Sequence, residues 1–218
     1  MPDHPPASAS GVLYSPAELF DRHAKRYADH YFDLHEYDRY YSKWLSQVRK
    51  GGQVIDVACG PGNVSAFIRS VRPDLQVTGI DIAPGMIAEA QRRVPDATFL
   101  VSDCRDIPLL GQTFDGAAFA FGLSYLDDQA AAATLQAIYD VLSPNAPLYL
   151  STLSATKTHT LVQSSSAGER MLMHYRTPDA ILAHISRAGF MLVFDTLVAS
   201  PSTARFATDD LIALAKRV

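Results

Sequence analysis

The chain has 218 residues, of which 48% are hydrophobic and 19% charged, values that suit one globular domain whose core needs neither disulfide nor metal. Against 23 Asp+Glu stand 19 Lys+Arg, a net charge of −4, so the bulk basic field of a nucleic-acid-binding protein is missing. No apolar run approaches the roughly 20 residues of a membrane span, and Cys59 and Cys104 occur in no CxxC or zinc spacing. These features read as a cytoplasmic protein with reduced thiols, no metal and no membrane partner.

Residues 1–12 are rich in Pro, Ala and Ser and lack the apolar segment of a signal peptide, so they read as a disordered tail. Pro16 to Ala28 follows as a helix, with Ser15 as its cap and Pro16 at its first position. A second helical stretch, Asp33 to Lys50, stops at Gly51-Gly52. Both carry many rings, among them Tyr27, Tyr31, Phe32, Tyr37, Tyr40, Tyr41 and Trp44, which read as core or lid packing with one or two reaching a ligand.

The pattern then changes to short apolar runs between helices. Gln53–Ala58, Leu75–Ile80, Ala97–Val101, Thr113–Phe121 and Ala146–Leu153 read as strands buried on both faces. Helices alternate with them: one begins near Gly62, then come Pro84–Val94 and Asp128–Leu142. Such alternation makes right-handed βαβ units and a parallel sheet. Ser154 to Gly168 reads as a long functional loop. A helix from Pro178 to Ala188 and two strands, Phe190–Val198 and Asp210–Lys216, close the chain as an antiparallel hairpin.

Three strand ends carry chemistry. Gly60 and Gly62 in Val54-Ile-Asp-Val-Ala-Cys-Gly-Pro-Gly form a turn where backbone N–H groups can approach a ligand. Asp81 lies roughly 20 residues on, directly after the second strand, where a carboxylate accepts both ribose hydroxyls; it could also cap the next helix. Asp103-Cys104 follows the third strand, where an acid can accept from the amine of adenine. Together they point to a nucleoside-containing ligand.

From Tyr27 to Val218 the chain resembles the class I S-adenosylmethionine-dependent methyltransferases. Asp56–Gly62 (DVACGPG) matches the glycine-rich first motif, Gly79-Ile-Asp-Ile82 the ribose motif and Ser102-Asp-Cys104 the adenine motif. Phe114-Asp115 through Phe121 resembles the strand beside the methyl group, and His174 to Phe190 the segment before the last hairpin. The resemblance implies an α/β, Rossmann-like, doubly wound sheet of order 3-2-1-4-5-7-6, strand 7 antiparallel. It also implies a single methyltransferase domain over 13–218, with a helical lid at 13–50 and a core at 51–218. Its cofactor set would be Tyr27, Asp56, Ala58, Gly60, Gly62, Asp81, Ile82, Met86, Asp103, Cys104, Ala120 and Phe121, holding S-adenosylmethionine and leaving S-adenosylhomocysteine. The acid of the first motif would meet the methionine amino group, and Tyr27 the carboxylate or sulfonium.

The sequence departs from the pattern at three places. Ala58 stands where a glycine is common. Asn145-Ala-Pro replaces a Pro-Gly-Gly turn, which asparagine tolerates. Gly122-Leu-Ser-Tyr125 has no histidine to serve as a base. Candidates for that role are His159, His174 and Tyr175, and Arg176 could pair an acidic acceptor. The expected activity is methyl transfer to a small molecule by a monomer or homodimer. The alternatives are a non-catalytic cofactor-binding module and a nicotinamide oxidoreductase; the latter lacks its third small residue at Gly60-Pro-Gly-Asn-Val-Ser65 and leaves Asp103 and the closing hairpin unexplained.

Overall fold

The computed structural model describes residues 12–32, 35–164, 168–200 and 208–218; the tail expected at 1–12 lies outside them except for Val12. In chain order the elements are β1 (Leu13–Tyr14), α1 (Pro16–Tyr31), α2 (Asp38–Leu45), β2 (Gln53–Val57), α3 (Asn63–Val71), β3 (Gln76–Asp81), α4 (Pro84–Arg93) and β4 (Thr98–Val101). Then follow β5 (Gly116–Ala120), α5 (Asp128–Val141), β6 (Pro147–Ser154), β7 (His159–Ser164), β8 (Arg170–Tyr175), α6 (Pro178–Arg187), β9 (Phe190–Ala199) and β10 (Asp209–Arg217).

Seven strands form the main sheet in the order β4-β3-β2-β5-β6-β10-β9, with β10 antiparallel to both its neighbours, which is the topology the sequence implies. The period-2 alternation of strand side chains feeds two core layers. Ile55, Val57, Leu211 and Ala213 face α5 and α6, meeting Leu135, Ile138, Ile181 and Ile185. Val54, Ile212 and Leu214 face the other way, onto Val64 and Ile68 of α3 and Tyr41, Trp44 and Leu45 of α2. Local chemistry agrees with this plan. Ser15 and Glu18 form a reciprocal capping box behind Pro16, satisfying two of the donors a helix start leaves bare. Asn145 takes the left-handed conformation expected of it, at φ 64°.

Two expectations change. Within Ser154 to Gly168, His159–Ser164 is a strand rather than loop: β7 pairs antiparallel with β8, and β8 pairs in turn with β1, a second, three-stranded sheet. β7 is exposed almost throughout, so it lacks the buried apolar face that makes a strand visible in a sequence. Of the stretch 13–50 read as a lid, α2 is built into the core: Trp44 is fully buried and its indole N–H donates to the Pro147 carbonyl at 3.1 Å. Only α1 lies over the strand ends, packing Ala24 against Ala83 and Met86 at the start of α4.

Candidate active site

The site grows from the turn between β2 and α3. Ala58 and Gly60 both adopt left-handed backbone, at φ 53° each, and Gly62 follows at φ 90° as the residue capping α3. Ala58 thus takes the glycine-like conformation despite its Cβ. Gly62 serves packing: a Cβ there would meet the Ala90 Cβ at 3.3 Å, and the residue lines neither cavity described below.

Asp56 is buried at the heart of this turn. One carboxylate oxygen, Oδ2, accepts from the Ser65 N–H at 3.0 Å and the Ser65 hydroxyl at 2.7 Å; the other, Oδ1, has no partner. Burial pushes the carboxyl up to about 7, against the pull of Ser65. Asp81 works differently. Its two oxygens accept the Gly60 and Ala83 N–H groups, each at 2.9 Å, so it locks the glycine turn to the entry of α4. Burial raises this carboxyl as well. The helix-cap position itself belongs to Ala83, which has no side-chain cap. Asp103 is forked by Arg105, whose Nε and Nη2 donate at 2.9 and 2.5 Å, and that guanidinium holds its carboxyl below the ordinary range. Cys104 contacts the Thr134 hydroxyl at 3.2 Å, and burial raises its thiol to about 11, so it stays a thiol.

Two cavities open along this edge of the sheet. The smaller, of about 250 Å³, is lined by Asp81, Ile82, Met86, Asp103 and Cys104, with Phe20 of α1 on the opposite wall. The larger, of about 490 Å³, holds Asp56 and is rich in rings. They meet at Tyr27, Ala58, Gly60, Ala120, Phe121 and Tyr125, which line both. Phe121 sits at φ 57°, a conformation that costs a bulky residue about 1–3 kcal/mol and that concentrates at functional sites. A Cβ at the next residue, Gly122, would come within 2.3 Å of the Phe119 ring, so only glycine fits that bend. Tyr27 is raised to about 12 by burial and Tyr125 also lies above its ordinary value, so both stay neutral phenols.

Eleven of the twelve cofactor candidates therefore line one or both cavities, Gly62 being the exception. The candidates for a base divide. Tyr175 faces the larger cavity, where the Gln163 amide donates to its hydroxyl. His159 is exposed and stacks on the far side of Tyr175, and His174 bonds Thr160 across the hairpin at 3.0 Å; neither lines a cavity. Arg176 is buried and spent on structure. It donates to the Leu126 and Leu123 carbonyls at 2.7 and 3.2 Å and to Asp128 at 2.9 Å, so it is not available to an acidic acceptor. Sequence reasoning missed Asp210, Tyr125, Gln163 and Met173 as cavity residues. The density of rings between Tyr27 and Trp44 was the one available signal.

A parallel sheet closed by an antiparallel strand, with an acid or glycine turn at the end of each of its first three strands, is the arrangement implied by the sequence resemblance. Residues 54–145 match the family described as a methyltransferase domain. The chain is 29% identical over 154 residues to demethylmenaquinone methyltransferase of Symbiobacterium thermophilum, covering 66% of this chain and 61% of that protein, so it spans less than two thirds of that relative. Among solved structures, an S-adenosylmethionine-dependent methyltransferase of Methanosarcina mazei shares the fold with a TM-score of 0.71 at 17% identity, over 80% of this chain and 96% of that one. The 1,6-didemethyltoxoflavin-N1-methyltransferase of Burkholderia thailandensis, solved with its acceptor and S-adenosylhomocysteine, aligns with a TM-score of 0.69 at 19% identity, over 96% and 93%.

Proposed function

We propose that the protein binds S-adenosylmethionine across the two cavities and transfers its methyl group to a small-molecule acceptor in the larger one. The observation that supports this best is the junction itself: nucleoside-type residues line one side, rings line the other, and Tyr27, Ala120, Phe121 and Tyr125 stand between. The residues fit the cofactor. The unpartnered Oδ1 of Asp56 is a buried acceptor that an ammonium would satisfy. Asp81, although it already holds two N–H groups, keeps further lone pairs for ribose hydroxyls.

When bound, the cofactor supplies a methyl group on a positively charged sulfur, open to in-line displacement. The protein then has to orient, desolvate and hold. The neutral rings of Tyr27 and Tyr125 offer π faces to a cation at the junction, worth about 0.5–2 kcal/mol. The chamber walls hold an acceptor close to the methyl group, and alignment of that kind can lower a barrier by several kcal/mol. Thermal unfolding with S-adenosylhomocysteine, and with NAD as control, tests the reading. At a hundred times its dissociation constant the first ligand should stabilise the fold by about 2.7 kcal/mol; stabilisation by NAD alone would overturn the proposal.

A further inference from the structure

The far side of the larger cavity carries a polar pair that the cofactor reading leaves unused. Tyr37, at the start of α2, and Asp210, on β10, are 173 positions apart in the chain, and both are buried. The Tyr37 hydroxyl donates to Asp210 Oδ2 at 2.5 Å, and the Ser200 hydroxyl donates to Asp210 Oδ1 at 2.7 Å. The Tyr37 ring packs edge-on against Phe121, at 5.0 Å between centroids, so the pair stands one ring away from the junction. All three of Tyr37, Ser200 and Asp210 line the chamber.

A tyrosine hydroxyl has one proton and two lone pairs. Here the proton is committed to Asp210, so the oxygen can offer only lone pairs to a molecule in the chamber. It therefore reads hydrogen-bond donors. The charge of the walls points the same way. Among the described residues no lysine or arginine lines the chamber, whereas Asp38, Asp56 and Asp210 do, so none of these side chains would offset the charge of an anionic acceptor. The rings of Tyr31, Phe32, Phe67, Phe121 and Tyr175 suit a flat apolar body.

We propose that the acceptor is a neutral hydroxyaryl compound whose O–H donates to Tyr37, with Asp210 orienting that tyrosine and receiving its proton during transfer. This rests on the methyl-transfer reading above. The acceptor oxygen forms its bond to the methyl carbon as the carbon–sulfur bond breaks, and that bond's electron pair stays on sulfur. The acceptor's proton passes to the Tyr37 oxygen, and the Tyr37 proton passes to Asp210 Oδ2, which ends as a neutral carboxylic acid. Tyr37 touches the acceptor and is catalytic; Asp210 acts through it and is a positioning residue. Burial raises the Asp210 carboxyl, which agrees with its keeping a proton.

Calorimetric titration of the full chain, saturated with S-adenosylhomocysteine, with 2-naphthol, 2-methoxynaphthalene and 2-naphthoate tests the inference. The expected result is that 2-naphthol binds about tenfold more tightly than the other two, as one hydrogen bond to a desolvated group implies. Tyr37→Phe should erase the difference and leave the affinity for S-adenosylhomocysteine unchanged. Asp210→Asn should shrink it, because a neutral amide oxygen accepts from Tyr37 less strongly than the carboxylate and holds its proton less firmly away from the chamber. A merely structural aspartate would leave the preference for 2-naphthol unchanged. If Asp210→Asn does not fold, Tyr37→Phe decides alone. Equal binding of the three compounds, tightest binding of 2-naphthoate, or a preference that survives Tyr37→Phe overturns the inference. Failure of the wild type to bind S-adenosylhomocysteine overturns the methyl-transfer reading with it.

Discussion

The two cavities are built by opposite means. Around the smaller one, Asp81 and Asp103 stand at the ends of parallel strands, Asp81 fixed by backbone and Asp103 by Arg105, two residues on in the chain. Asp81 holds two N–H groups, and the glycine turn beside it is bonded to β3 through the Cys59 N–H and the Ile80 carbonyl at 2.9 Å. The larger one adds, to the glycine turn and α3, side chains of α1, α2, the β7–β8 hairpin and β10, held by ring contacts and by long-range pairs such as Tyr37–Asp210. Backbone geometry can serve one unvarying ligand, whereas side chains can be exchanged without disturbing the sheet. That is the division a domain needs when its cofactor is constant and its acceptor is not.

The sharpest way to break this comparison is at Trp44, which ties the ring-built half to the sheet. Trp44→Ala should cost about 3–5 kcal/mol in urea unfolding, because it empties a fully buried site and removes the indole bond to the Pro147 carbonyl. A cost below about 1 kcal/mol would return α2 to the detachable lid suggested by the sequence.

Asp56→Asn sharpens the other half. The amide oxygen can keep both Ser65 bonds, so stability should change little, while affinity for S-adenosylhomocysteine falls about 10- to 100-fold with the lost charge. The pH dependence has a definite sign. With the carboxyl near 7, the free protein is protonated below that pH, and binding an ammonium must expel the proton. Wild-type affinity measured by calorimetry should therefore weaken by up to about tenfold for each unit below pH 7, and Asp56→Asn should flatten that slope.

The smallest effect concerns Asp81. As a helix cap it would tolerate asparagine. Because its two oxygens each hold a backbone N–H, the amide nitrogen of Asp81→Asn must face a donor and leave it unpaired. Denaturant unfolding should show a loss of about 1–3 kcal/mol even without ligand. No loss would mean that the glycine turn holds itself.

This contrast also explains what could be read from the sequence. Strands buried on both faces are apolar runs, so the strands of the main sheet were legible, with Asp81 and Asp103 at their ends; their order and the place of Asp56 came from the family resemblance. β7 was not, since five of its six residues are exposed and its pairing with β8 is its only regularity. Tyr37 was visible as one ring among many, but its bond to Asp210 joins residues no local pattern connects. Phe121 appeared as the end of a strand; its left-handed backbone depends on packing around Ser151 and Gly122.

α1 bears on the timing of any reaction here. Its cap Ser15 and its residues Pro16, Ala17 and Phe20 wall the smaller cavity, Tyr31 walls the larger, and Tyr27 walls both. The helix is pinned along its length: Asp21 accepts the Gly85 N–H at 2.5 Å, Asp29 pairs with Arg93 at 2.7 Å, His23 meets Glu169 at 2.6 Å, and the Tyr31 carbonyl accepts the Asn63 amide at 2.5 Å. A rigid rod that forms part of two chambers cannot unseat at one and stay seated at the other. On the proposed reading, arrival and departure of the two guests are then mechanically linked, and release of the spent cofactor and of the methylated product waits on one movement.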